Sequence, residues 1–171
     1  MEWYEIILLI LAVLLVVSII LLGIRRLRYK MINENIEMII KKQYPDIEVI
    51  KHKNRMVYQI EFIKEKKYLI KLIDMKPRSE VIITNSERVV VNDDIKGWKR
   101  STKPNFVGGI KEFIKIKSDI ELVKIILIYP NCHNITKYIN ESDVFLVEEF
   151  QEIDGLFYIR FRDLMEFLKK H

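Results

Sequence analysis

Cysteine is all but absent from this sequence: Cys132 stands alone, so no internal disulfide can form and nothing demands an oxidising compartment. Histidine is scarce as well. The three present are scattered, with no cysteine pair beside them, a pattern that offers no zinc site. Glycine and alanine are few beside abundant Ile, Lys, Asn and Glu, which reflects composition and carries no functional reading. No internal repeat and no low-complexity linker divides the chain. A length of 171 residues, 50% hydrophobic and 31% charged, suits one domain of ordinary size with an appendage. The net charge of +5 permits an acidic partner, nucleic acid or an anionic lipid surface, and selects neither.

The most extended absence is that of charge. Residues 6–24 contain none and have only Ser18 and Gly23 as mild interruptions, about the 20 residues a helix needs to cross a bilayer core. Trp3 and Tyr4 sit where aromatic side chains favour the interface, and Arg25, Arg26, Arg28 and Lys30 follow the stretch at once. The positive-inside rule then predicts a single-pass protein of the cell membrane, its N-terminus outside, with residues 1–24 as a transmembrane anchor and residues 25–171 as a cytoplasmic domain. A cleaved signal peptide fits less well, because there the basic residues precede a shorter apolar core and a small-x-small site follows it.

Beyond the span, Leu27, Met31, Ile32, Ile36, Ile39 and Ile40 recur at spacings of three and four, which predicts a helix over 25–44 that Pro45 terminates. Strand-like segments follow at 47–52, 56–64, 67–76, 80–84 and 88–92, each rich in β-branched or aromatic residues. With turns at 53–54, 64–67 and 85–87 they predict an antiparallel meander. Residues 93–105 read as a loop, and 106–117 as a second helix whose first turn is weakened by Gly108 and Gly109. Residues 122–129 are almost continuously apolar, as a strand covered on both faces is. A helical turn at 133–140, a short strand at 144–148, a turn at Asp154-Gly155 and a final helix over 161–170 complete the reading. The order predicts an α/β fold, a mixed sheet flanked by helices.

Chemically capable residues gather around the third strand. Side chains alternate along a strand, so Tyr68, Ile70, Leu72, Asp74 and Lys76 share one face, while Leu69, Lys71, Ile73 and Met75 share the other. This element order, with Glu61 on the second strand and Asp74-Met-Lys76 closing the third, resembles the PD-(D/E)xK nuclease-like fold and, within it, the nuclease-related domain (NERD) family. Glu34-Asn-Ile-Glu37 is similar to the family's helix signature, Glu61 to its strand acid and Asp74-Met-Lys76 to its acidic-x-Lys tripeptide, over about residues 30–170. The resemblance implies a restriction-endonuclease-like sheet and a nuclease that hydrolyses DNA or RNA with Mg2+ or Mn2+. In that reading Glu61 and Asp74 hold the cation, Glu34 or Glu37 completes its shell, and Lys76 stands beside the attacking water or the phosphate, where negative charge develops.

Departures from the family pattern motivate a second reading. Members carry Asp at the first acid and Glu in the tripeptide, which stand exchanged here, and Asn105-Phe-Val-Gly-Gly109 lacks the Pro and Gln that open the family's second helix. A nuclease-like fold without the chemistry, acting as a membrane-tethered module that binds nucleic acid or protein, accommodates both departures. The hairpin register is open as well. A turn centred on Glu65-Lys66 sets Glu61 opposite Ile70, about 13 Å short of Asp74 along the strand, whereas a turn near Lys67-Tyr68, or a bulge, sets Glu61 opposite Asp74. Glu34 and Glu37 also suit an ordinary solvated helix surface, and Asp74 and Lys76 a charged strand end. Trp98, Lys99, Arg100 and Lys103 form a basic loop segment with an aromatic, suited either to a nucleic-acid backbone or to plain solvation. Pro45-Asp46 supplies a literal Pro-Asp pair, but Asp46 precedes the first strand rather than lying beside the third, which makes it the weaker candidate for the second carboxylate.

Overall fold

The computed structural model describes residues 3–52, 57–77, 79–92, 105–139 and 143–171. Helix α1 (Trp3–Gln43) is unbroken, because no proline occurs before Pro45 and its one glycine, Gly23, lies inside a long apolar run. Ser18, the only hydroxyl of that run, donates to the Leu14 carbonyl at 2.8 Å and so needs no partner outside the helix. An 18-residue window of α1 has a mean hydropathy of 3.5, which makes it long and apolar enough to cross a membrane. Pro45 ends the helix as the sequence predicts, and the Ile47 N–H closes the turn on the Tyr44 carbonyl at 3.3 Å. The chain separates into two compact units, residues 1–38 and 39–171.

The second unit contains, in chain order, β1 (Val49–Lys51), β2 (Ile60–Ile63), β3 (Lys67–Asp74), β4 (Glu80–Asn85), β5 (Arg88–Asn92), β6 (Asn105–Phe106), α2 (Ile110–Lys115), β7 (Leu122–Tyr129), β8 (Ile135–Tyr138), β9 (Val144–Leu146), β10 (Glu152–Ile153), β11 (Leu156–Arg160) and α3 (Leu164–Lys170). Two sheets result where the sequence predicts one. The first has the order β1-β2-β3-β7-β11-β10 and the second β6-β5-β4-β8-β9. Of the five-strand antiparallel meander that the sequence predicts, only the stretch β1, β2 and β3 forms, after which β3, β7 and β11 run parallel. Because β2 and β7 already occupy both edges of β3, and Pro77 has no N–H for a ladder, β4 leaves to found the second sheet. There it pairs β5 in a hairpin and β8 in parallel.

One face of the first sheet shares a buried cluster with the second sheet and α2. Leu69, Ile73 and Met75 meet Val81, Ile83, Val89 and Phe113 there. The opposite face carries Phe62 stacked on Tyr68 at 4.6 Å, and it receives α3, whose Phe167 ring lies 5.0 Å from that of Phe157. The Tyr68 hydroxyl donates to the His171 carbonyl at 2.8 Å, and that of Tyr44 to the Leu168 carbonyl. As its composition predicts, β7 is covered on both sides: Ile125 and Leu127 on one face, Ile126 and Ile128 on the other, are all buried.

Three further elements differ from expectation. Helix α2 begins only at Ile110, after Gly109 in the left-handed region at φ 72, and Asn105–Phe106 is drawn instead into pairing with β5. The predicted helical turn at 133–140 is strand β8, because Ile135 is buried in register with Val81. Strand β11 has no counterpart in the sequence reading. It forms because the Asp154-Gly155 turn returns the chain alongside β7.

Candidate functional site

Three residues, Lys64 to Lys66, join β2 to β3, so Ile63 faces Lys67 and Glu61 faces Leu69. Paired residues of an antiparallel ladder share a face. Glu61 therefore lies with Leu69, Lys71 and Ile73, while Asp74 lies with Tyr68, Ile70 and Leu72. Along β3, Asp74 lies five positions beyond Leu69, about 17 Å of strand. The expected pair does not form, and the two carboxylates do not fit a shared Mg2+ or Mn2+. Both registers open to the sequence give Glu61 an even-numbered partner; a loop of odd length shifts the pairing by one residue and turns the side chain to the other face.

Glu61 is instead the centre of a half-buried polar cluster. Lys67 Nζ lies 2.7 Å from Oε1, His52 Nε2 lies 3.0 Å from Oε2, and the Tyr58 hydroxyl donates to Oε2 at 3.2 Å. Burial by itself would raise the carboxyl. The hydrogen bonds from Lys67 and His52, with the charge of Lys67 and the Tyr58 hydroxyl, outweigh it and hold Glu61 below its ordinary value. Lys67 is raised in turn, chiefly by its hydrogen bond to Glu61. Both carboxylate oxygens are thus engaged by side chains of the same sheet edge.

Further along this face, Lys71 is only 2% exposed and donates to the Val57 carbonyl at 3.0 Å. Burial lowers its ammonium to about 8, opposed by the charge of Glu112. On the neighbouring strand Lys124, paired with Leu69, donates to the Ile114 carbonyl and is also lowered by burial. Sequence reasoning passes over His52, Tyr58, Lys67 and Lys71 as site residues. The one available signal is Lys71 itself, the single charge in the apolar run 68–73.

Asp74 ends β3 in register with Tyr129, whose carbonyl then accepts from the Met75 N–H at 2.9 Å. Lys76 is exposed just beyond the ladder. Glu34 lies on an exposed turn of α1, 3.8 Å from Lys30, and Glu37 is half-buried one turn later. Asp46 is exposed in the turn before β1. Trp98, Lys99, Arg100 and Lys103 lie outside the described residues. Among the described residues, no three His, Cys, Asp or Glu side chains converge to hold a metal ion.

A concavity of another kind lies on the second sheet. An open groove of about 740 Å³ is lined by residues that include Asn85, Lys137, Tyr138, Phe145 and Asp154. Among its lining residues, Lys137 Nζ donates to both Asp154 carboxylate oxygens at 3.0 Å. At the edge of the same sheet, Val144 and Leu146 of β9 are 53% and 59% exposed.

Comparison with protein-family models, with curated proteins and with solved structures finds no match. Fold and site together define an α/β domain following a helix long and apolar enough to cross a membrane. Glu61 on β2 is the centre of a half-buried ion pair with Lys67.

Proposed function

We propose that this chain is a single-pass membrane protein whose restriction-endonuclease-like α/β domain faces the cytoplasm and binds a protein partner without hydrolysing nucleic acid. The observation that carries this reading is the hairpin register: with Glu61 opposite Leu69 and both its oxygens engaged, two-carboxylate metal catalysis lacks its first ligand. Arg25, Arg26, Arg28 and Lys30 directly after the apolar stretch support the cytoplasmic side. The exposed apolar side chains of edge strand β9 beside the open groove favour a protein partner, since a strand edge offers unpaired backbone groups and exposed apolar area marks contact surfaces.

Phosphodiester hydrolysis is the second reading. One observation favours it: Asp74 and Lys76 stand at the C-terminal end of β3, beside parallel β7, the end at which α/β sheets take their ligands. The full-length chain in lipid nanodiscs, offered DNA or RNA with Mg2+ or Mn2+, is expected to cut no faster than its Lys76→Ala variant. Lys76-dependent cutting rejects the binding-module reading. Val144→Arg with Leu146→Arg is expected to abolish partner crosslinking in membranes. Salt-sensitive nucleic-acid binding untouched by those two substitutions would move the partner to nucleic acid.

A further inference from the structure

Helix α1 carries a second pattern, laid over its apolar run. Steps of four and three residues lead from Ile6 through Ile10, Val13, Val17 and Ile20 to Ile24, and the same steps next reach Leu27 and Met31. This 3.5-residue period is that of the a and d positions of a left-handed coiled coil. Apolarity cannot select a face within the run, because nearly every residue there is apolar, but branching can. Leu is the commonest residue of 6–24, yet every seam position in that stretch is Ile or Val. A β-branched side chain in a helix holds one strongly preferred rotamer, so packing it against another helix costs little side-chain entropy. That matters in a bilayer, where lipid is as apolar as a partner helix and close packing drives association.

Past the apolar run the seam stays apolar where solvent makes that unfavourable. Leu27 and Met31 are each 63% exposed. Two large apolar side chains are thus left uncovered in line with the branched stripe. Flanking charges agree with a parallel, in-register alignment, in which the g position of one helix meets the next e position of its neighbour. That alignment sets Gly23 opposite Arg28 and Lys30 opposite Asn35, so like charges do not meet. Glu34, the next step, ends the stripe.

We infer that the stripe through residues 6–31 is a self-association surface on which further copies of this chain pack in parallel. The inference rests on the membrane reading, under which every copy enters the bilayer the same way round and presents the same stripe at the same depth. Ile and Val at both a and d favour three strands over two, so a trimer is expected.

The test uses the full-length chain in membranes, with Cys132→Ser and one cysteine introduced at a time, followed by oxidation. Ile10→Cys, Val17→Cys and Ile24→Cys are expected to link into multiples of this chain several-fold more efficiently than Leu8→Cys, Leu15→Cys and Leu22→Cys, which face outward. A flat profile, a maximum at the leucine positions, or adducts that are not multiples of the chain mass overturns the inference. Val13→Leu, Val17→Leu and Ile20→Leu together keep the span apolar and are expected to reduce linkage through Ile24→Cys several-fold; unchanged linkage also overturns it. Alkaline extraction of the same membranes separates the two readings: a retained chain with a flat profile rejects the seam alone, and a released chain rejects anchor and seam together.

Discussion

Lys71 is buried on the inner face of β3, where its ammonium donates to the Val57 carbonyl. Its ammonium is lowered to about 8 by burial, against roughly 10.4 in an unfolded chain. Below about pH 8 both states carry the proton and the cost of burying the charge is fully present. As the pH rises from about 8 to about 10, the native chain sheds its proton first and the cost is lifted, so stability rises through that window. The shift corresponds to roughly 3 kcal/mol, of which the lost hydrogen bond to Val57 returns about 1 kcal/mol in a Lys71→Met variant. That variant is expected to be more stable by about 2 kcal/mol at pH 7. Little gain is expected above pH ~10, read from urea midpoints of the full-length chain in detergent. Glu61 is the contrasting case, a buried charge whose partners Lys67, His52 and Tyr58 are all in place. Nothing in its immediate sequence distinguishes an ion-pair centre from a metal ligand, because the difference lies in where the hairpin turns: Glu61 faces Leu69, five positions short of Asp74 and on the other face of the strand.

Helix α2 shows how a single backbone position can decide an element. Two glycines precede it, but only Gly109 has a positive φ, at 72. An l-residue there is strained, and the strain falls on the turn that brings Ile110 and Phe113 into the core. Gly109→Ala is expected to cost about 1 kcal/mol. Gly108→Ala serves as its control: a Cβ at Gly108 meets nothing within 4 Å, and a change within about 0.5 kcal/mol is expected from the same unfolding measurement. The sequence announces a weak helix start through this Gly-Gly pair but does not announce strand β6, which exists only because Phe106 and Asn105 find Val90 and Val91 across the second sheet. The same holds for β8, whose backbone takes up a ladder offered by β4.

For the whole molecule, removal of residues 3–24 is expected to move the chain from the membrane pellet to the supernatant; a truncated chain that still sediments with membranes would reject the anchor. The long apolar helix was legible because it is a property of composition and length: a charge-free run in α1 needs no partner to declare itself. Strand β7 was legible for a related reason, since a strand covered on both faces is apolar throughout, and the end of α1 followed from the geometry of Pro45. By itself, then, the sequence determined the apolar helix, the doubly covered strand β7 and the order of most later elements, all of which depend on local composition and period. Only the tertiary structure decided that the strands divide into two sheets and that Glu61 turns away from Asp74. Those outcomes depend on which edge is free when a strand arrives and on whether a hairpin loop holds an odd or an even number of residues, and a ladder fixes both only when its distant partner is present.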